Sequence, residues 1–387
     1  MEKNKGLPAL FNTDHLLTVF CCIFFTGFLI GYLLTPETEF SEMENRYLTT
    51  RPALSLSGLS DGSFMSSFEA YTGDQLPLRN GLIKLKSIVE RIELKRENNG
   101  IIRGKNGQLF EKAFSYHKNL SRNEEILLSF LKEADREIYV GLIPNSFEIQ
   151  REQLPKGTPC VSEKKAIAGF YEELSGLPLV HTINLYQPLY EHRGERLYYY
   201  TDHHWTTDGA YIGYVKILEE LSRQKQEELR PVDITKLARN AAEGFYGTYY
   251  SKYKGISIEP DELVYYETPI ESYVNQDTGE SYDGLYDLSK LEVYDKYAMF
   301  LYGNPGTGMI ETGRSDRDKT LIIFKDSYSN CLIPFLSYNY GRIVTVDLRY
   351  FGGSVSELLS ENQEADVLIL YNFMQFSEDS NFYKLVR

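Results

Sequence analysis

The segment that most constrains this fold is residues 320–372. Three apolar runs, TLIIFKDS, RIVTVDLR and ADVLILYN, alternate there with stretches of helical character. Near-continuous apolar strands of this kind are covered on both faces, as in parallel sheets. YSNCLIPFLSYN reads as a short helix kinked by Pro334, and SVSELLSEN as a second helix. Crossovers of this length demand parallel strands with right-handed connections. Upstream, EIYVGLI, ending at Pro144, and PLVHTINL read as further strands. TTDGAYIGYVKILEELSRQ is an amphipathic helix with Thr206 or Thr207 as its N-cap. The expected fold class is therefore α/β with an open parallel sheet, whose functional crevice lies at the carboxyl ends of the strands. Asp326 and Ser327 follow the first of the three runs, Arg349 and the Gly352–Gly353 pair the second, and Asn372 the third.

A second constraint sits at the N-terminus. Leu16 to Leu34 is an uncharged apolar run, about as long as a bilayer-spanning helix. Lys3 and Lys5 precede it, and Glu37, Glu39, Glu42 and Glu44 follow. The positive-inside bias puts residues 1–15 in the cytoplasm, 16–34 in the membrane and the rest outside. No small-residue cleavage site follows the run, so an uncleaved single-pass anchor is expected over a signal peptide. Residues 35–100 read as a polar stalk with a loop-like LSLSGLSDGS. The stalk closes in a helix, GLIKLKSIVERIELKREN, that docks on a main domain of residues 101–387. GKNGQLF is then a turn feeding a short strand.

The chain has 387 residues, enough for one large domain with appendages. A formal charge of −14 excludes the basic surface that nucleic acid requires. Cys160 and Cys331, the exported pair, make neither a scaffold pattern nor a C-x-x-C, so a disulfide and two buried thiols stay open. No cofactor or structural metal motif is present. Residues 241–302 hold twelve of the 31 tyrosines and read as a β insertion. Tyrosine faces stack on sugar rings, but packing of most of these rings on the main sheet is the first expectation.

The chemistry-bearing stretch is YYYTDHHWTTDG, Tyr198 to Gly209. A serine hydroxyl needs a positioned base, and the base needs an acid to fix its tautomer. Ser327 supplies the nucleophile, His203 or His204 the base and Asp202 the acid. A strand-to-helix turn at Ser327 exposes its side chain and aims backbone amides at a developing oxyanion. The Ser327 and Gly352 amides and the Asn372 side chain are the candidate donors. Other readings compete. Ser327 and Asp202 are ordinary helix caps, and Asp208 is an ordinary first-turn residue. Asp202, His203 and Asp208 could ligate a metal, although no i, i+4 histidine pair is present. HHWTTDG also fits H-H-x-x-x-D-G, the signature of condensation-type acyltransferases, with His204 as base. Their thioester donors are cytosolic, and that reading leaves the serine, glycine and asparagine at the strand ends unused.

TDHHW with its helix, KDSYSN and DLRYF downstream, and ENRYLTTRP, YTGDQLPLRN and GKNGQLF upstream together resemble the DHHW-motif family. That family is related to alginate O-acetyltransferase proteins with an SGNH-hydrolase-like (flavodoxin-like) domain. The resemblance implies a circularly permuted order, with Asp202 and His204 ahead of Ser327, Gly352 and Asn372. Its Asp-x-His pattern selects His204, leaving His203 to face the other way, and it matches Arg349 to a helper arginine. KDS stands where GDS is usual, so the turn lacks its glycine. The resemblance further implies O-acetylation of a polysaccharide outside the membrane, with a multi-pass membrane acyltransferase as partner. Esterase or deacetylase activity on the same triad and a non-catalytic glycan-binding scaffold are the alternatives.

Overall fold

Side chains alternate across a strand, so a strand apolar at every position must be covered twice. A computed structural model of the protein describes residues 13–41, 46–226, 229–255, 257–313 and 319–386. Its main sheet contains, in chain order, β1 (Ile138–Ile143), β2 (Val180–Ile183), β3 (Ser272–Asn275), β4 (Ser281–Tyr282), β5 (Thr307–Glu311), β6 (Thr320–Lys325), β7 (Arg342–Val346) and β8 (Asp366–Asn372). The spatial order is β4-β3-β5-β7-β6-β8-β1-β2. The five strands from β7 to β2 are parallel, in registers such as Leu321↔Ile343, Val367↔Ile138 and Ile138↔Val180. β5, β3 and β4 extend the sheet antiparallel from β7.

The two faces sort by parity. Ile138, Val140, Ile322, Phe324, Val367 and Ile369 pack beneath the helices Leu120–Lys132 and Glu163–Leu174. Tyr139, Ile143, Leu321, Ile323, Leu368 and Leu370 pack against the helix Thr207–Lys225 on the other side. The result is a three-layer sandwich. β6 connects to β7 on one side and β1 to β2 on the other, so their outgoing loops diverge around β8. That divergence opens a crevice at the carboxyl ends of β6, β8 and β1.

Several local expectations change. LSLSGLSDGS is helical rather than loop-like. Ser55 Oγ accepts from the Gly58 amide at 3.0 Å, capping Leu56–Asp61, and Gly62 at φ +80° turns the chain into Ser63–Asp74. Pro334 does not kink a helix. A 3-10 turn, Ser327–Cys331, precedes a one-turn helix, Ile333–Leu336, and the proline sits in its first turn, where its missing N–H is not needed. Cys160 and Cys331 are free thiols. None of the twelve tyrosines in 241–302 is exposed, and Tyr249, Tyr253, Tyr266, Tyr273 and Tyr297 are buried, so these rings serve packing first.

Contacts divide the chain into Met1–Glu93 and Leu94–Arg387. In the first unit, Thr13–Leu34 forms one helix, and its window His15–Leu34 has mean hydropathy 2.3 with nothing buried, long and apolar enough to cross a membrane. The expected tail, with Lys3 and Lys5, begins in residues 1–12, which lie outside the described residues, as do Glu42 and Glu44. The helix Arg79–Ile92 belongs to the same unit, with Leu82, Leu85, Ile88, Val89 and Ile92 exposed.

In the second unit a hairpin, Arg239–Phe245 with Asp261–Tyr266, reaches toward the DHHW loop through Asp261. The Asp261 carboxylate, 2% exposed, accepts from Tyr200 N at 2.9 Å, Thr201 N at 2.7 Å, Thr201 Oγ1 at 2.6 Å and Arg196 Nη2 at 2.6 Å. Asp261→Ala would leave the Tyr200 and Thr201 amides and the Arg196 guanidinium without their carboxylate, and should cost about 3–5 kcal/mol. Urea unfolding of the detergent-purified chain measures this, and a loss under about 1 kcal/mol would contradict the role assigned to Asp261.

Candidate active site

The DHHW loop is a closed hairpin-like turn. Tyr198 and Trp205 form an antiparallel bridge, Tyr199 N donates to His204 O at 3.2 Å, and Thr206 N donates to Leu197 O at 2.8 Å. Thr206 caps the following helix, with its Oγ1 accepting from Gly209 N at 3.1 Å. A Cβ on Gly209 would lie 2.3 Å from Leu197 O, so the last letter of TTDG is a close-approach glycine. Asp208 Oδ1 accepts from Tyr266 Oη at 3.1 Å, away from the histidines. The tryptophan is structural. Its buried Nε1 donates to Tyr328 O at 2.7 Å, tying this loop to the turn after β6.

That turn begins with Asp326, and Asp326 rather than Ser327 caps it. Asp326 Oδ1 accepts from Tyr328 N at 2.9 Å, and Oδ2 accepts from Asn372 N at 2.8 Å, joining the ends of β6 and β8. Burial raises the Asp326 carboxyl to about 6, against the pull of Arg349. The Ser327 hydroxyl is thus free of capping. Its Oγ lies 2.8 Å from His204 Nε2, and His204 Nδ1 lies 2.5 Å from Asp202 Oδ1. The structure brings these three sequence-predicted residues into one hydrogen-bonded chain.

Asp202 and His204 are 3% and 4% exposed. Burial alone would raise the Asp202 carboxyl, but the two histidines outweigh it and hold it well below the ordinary range. His204 is pushed down to about 4, by burial first and then by His203, against the pull of Asp202. Its imidazole is therefore a free base near neutral pH. His203 does not face away, which corrects the sequence expectation. Its ring centroid is 3.8 Å from that of His204, and its Nδ1 lies 2.6 Å from Thr248 Oγ1 and 3.5 Å from Asp202 Oδ2. Burial would lower His203, yet the Asp202 charge prevails and raises it. The two histidines share one carboxylate, which is drawn closest to His204.

Sequence reasoning missed three supports. Thr248 donates to Asp202 Oδ2 through its amide at 2.8 Å and its hydroxyl at 3.0 Å. Gly247 lets that loop approach, because a Cβ there would lie 2.2 Å from Asp202 Cβ. Tyr297 stacks on His204 with centroids 3.7 Å apart and planes at 10°, while its Oη donates to Ser327 O at 3.0 Å. Only the tyrosine and glycine density of GFYGTYYSKYKG hinted at any of them. A fourth, Asn145, follows β1 and was reachable by the strand-end rule that found Asn372.

The remaining predicted residues are placed differently. Asn372 lines the cavity, but its Nδ2 donates to Ile143 O at 3.2 Å and Asn145 Oδ1 at 2.6 Å. Arg349 grips Asp347 in a bidentate pair, Nε to Oδ1 at 2.9 Å and Nη2 to Oδ2 at 2.6 Å. Neither it nor the exposed Gly352 is among the residues lining the cavity at Ser327. The lysine of KDS needs no glycine backbone. Lys325 ends β6 fully buried, its Nζ donating to Asn330 Oδ1 at 2.6 Å, and burial lowers it to about 8 against the pull of Asp347.

The cavity is about 170 Å³, lined by Asn145, His203, Tyr249, Ser327 and Asn372, with Glu111, His117 and Lys252 among its further lining residues. Ligand atoms of Asp202, His203 and His204 lie within 4.8 Å of one another, close enough for a cation. Those atoms already bind each other, Thr248 and Ser327, so a cation there would displace the 2.5 Å Asp202–His204 bond. Asp208, the third ligand expected for a metal, is not in this cluster.

A crystal structure of a DHHW family protein from Eubacterium siraeum DSM 15702 is similar, with a TM-score of 0.63 at 21% identity over 75% of this chain and 96% of that one. PatB1 of Bacillus cereus, solved with a sulfonyl adduct, has a TM-score of 0.59 at 22% identity over 74% and 98%. At these identities the likeness is one of fold. No curated protein matches the chain. The sequence profile of the DHHW protein family, however, matches residues 125–346, more than half of the chain, from the helix before β1 through β7 and across both the DHHW loop and the Ser327 turn. The chain belongs to the DHHW protein family.

Proposed function

We propose that this protein is a membrane-anchored O-acetyltransferase that acetylates a polysaccharide outside the membrane. The observation that carries the reading is the Ser327–His204–Asp202 chain, with links of 2.8 and 2.5 Å, at the carboxyl edge of a parallel sheet. The mechanism is ping-pong. His204 takes the Ser327 proton as Ser327 attacks the acyl donor, and returns it to the leaving oxygen. A sugar hydroxyl, deprotonated by His204, then attacks the acyl-serine and carries the acetyl group away. A polar cavity of about 170 Å³ suits a short acyl group rather than a fatty one. The resemblance to alginate O-acetyltransferases supports the acceptor class and a multi-pass membrane acyltransferase as the source of acyl groups. The apolar helix supports an anchor, and the flanking charges support an outside catalytic region over residues 101–387 on a stalk of residues 35–100.

The nucleophile is tested with the full chain and an activated acetyl ester. Ser327→Ala and His204→Ala should each cost at least ~10³-fold, and the double variant should be hardly worse, because members of one unit are not additive. A sulfonyl fluoride, chosen by analogy with the adduct on PatB1, should label Ser327. Turnover that survives in Ser327→Ala would transfer the assignment to the condensation-type reading, in which the serine is dispensable.

The pH profile follows from His204. Its free-base form is present above about 4 and is lost as pH falls through that value. The kcat/KM for the ester should therefore hold from about pH 7 to about pH 5 and fall toward about pH 4. His203→Gln removes the neighbouring charge that lowers His204, so the acid limb should move to higher pH. A limb near the ordinary histidine value of ~6.5 in the wild-type chain would contradict this electrostatic account.

Transferase and esterase differ in how well acceptor outcompetes water. With cell-surface oligosaccharides present, acetylated sugar should accumulate faster than free acetate. On intact cells, added protease should digest the chain beyond residue 36. Acetate release indifferent to every acceptor would make the protein an esterase, and no turnover at all would favour a glycan-binding scaffold.

A further inference from the structure

Two hydrogen-bond donors in the Ser327 cavity contribute little or nothing to holding the fold. Tyr249, in the helix Thr248–Tyr253, is 2% exposed and lines the cavity, yet its Oη has no hydrogen-bond partner among the described residues. An unpaired buried hydroxyl costs about 1–3 kcal/mol, so such a group invites a functional explanation.

Asn145, also 2% exposed, lines the same cavity from the end of β1. Its amide N–H donates to the buried Glu163 Oε2 at 2.6 Å, and its Oδ1 accepts from Asn372 Nδ2 at 2.6 Å. With Oδ1 held there, the carboxamide can present only Nδ2 elsewhere. Nδ2 has one long contact, 3.4 Å to Tyr328 Oη. The Asn145 side chain lies close enough to the Tyr249 hydroxyl to act on its acidity as a weak hydrogen-bond donor, although no contact of full hydrogen-bond geometry is made to Tyr249 Oη. Burial keeps the Tyr249 hydroxyl protonated, well above its usual range. Of the side-chain and loop donors expected from sequence, Asn372 spends its Nδ2 on Ile143 and Asn145, and Gly352 is exposed.

We propose that Tyr249 Oη and Asn145 Nδ2 are the side-chain donors that bind the acyl oxyanion formed at Ser327. The assignment rests on the reading of Ser327 as nucleophile. As the bond from Ser327 Oγ to the carbonyl carbon forms, the π pair moves onto the carbonyl oxygen and the serine proton passes to His204 Nε2. The oxyanion accepts hydrogen bonds from Tyr249 and Asn145, and neither gives up its proton. Collapse restores the carbonyl and breaks the bond to the donor's oxygen, which leaves with the proton held by His204. A donor left unpaired in the resting site needs no reorganisation when the charge appears, which is what makes such groups effective. Asn372 then acts at one remove, as the residue that orients Asn145.

The test uses the full chain in detergent with p-nitrophenyl acetate, measuring kcat, KM and melting temperature. Tyr249→Phe should lower kcat by roughly 10²-fold with KM little changed, and Asn145→Ala should do the same. Because the Tyr249 hydroxyl is unpaired, Tyr249→Phe should leave the melting temperature unchanged or raise it, whereas removing a structural hydroxyl would lower it. Full loss in Ser327→Ala with kcat within about twofold of wild type in Tyr249→Phe and Asn145→Ala would overturn the oxyanion assignment alone. A kcat loss in Tyr249→Phe matched by a fall in melting temperature would also overturn it, in favour of a packing role. Turnover that survives in Ser327→Ala would sink the nucleophile reading and this inference with it.

Discussion

The buried carboxylate of Asp202 is the constraint on which the rest of the site depends. A charge removed from water must be fully hydrogen-bonded, and Asp202 achieves this by recruiting partners from two separate segments. One oxygen takes both the amide and the ring Nδ1 of His204, and the other takes the amide and hydroxyl of Thr248. Each bond also fixes a position: the imidazole is aimed at Ser327, and the loop at Gly247 is drawn against the DHHW turn. Asp261 repeats this device one layer further out, satisfying the amides of Tyr200 and Thr201 that precede it. Two buried acids thus convert an irregular loop into a rigid one.

A second pair of acids plays the same part beneath Ser327. Asp326 bridges the Ser327 turn to the end of β8, and Asp347 holds Arg349 at the end of β7. Lys325 is lowered by burial and sustained by Asp347. The lysine in place of a glycine therefore belongs to an electrostatic arrangement at the strand ends, and the backbone there takes no left-handed conformation that would require glycine.

Aromatic packing completes the site. Tyr297 covers one face of His204, Trp205 reaches the backbone after Ser327, and Tyr328 Oη donates back to His203 O. These contacts exclude water from the imidazole, and burial is the leading reason that His204 stays uncharged. From the tyrosine-rich segment, whose rings were expected first to pack on the main sheet, Tyr297 supplies one wall that keeps this base dry.

The parallel sheet, the apolar helix, the DHHW loop and the strand-end turn at Ser327 were all legible in the chain, because periodicity, caps and strand-end positions are local properties. The family resemblance, through its Asp-x-His pattern, pointed to His204, whose ring lies between Asp202 and Ser327. Three things were decided only by tertiary structure. Asp326 rather than Ser327 caps the turn, because the carboxylate can reach Tyr328 and Asn372 at once. His203 stands beside His204 instead of opposite it, because Thr248, 45 residues away in sequence, offers its hydroxyl. Asn145 and Tyr249 enter the cavity, because strand order places β1 beside β8 and lays residues 247–253 over the DHHW loop. Sequence determined which reactive residue types stand at the strand ends and in the DHHW loop. The packing of distant segments around buried charge decided which of them meet, since desolvated groups take partners by proximity in space and not along the chain.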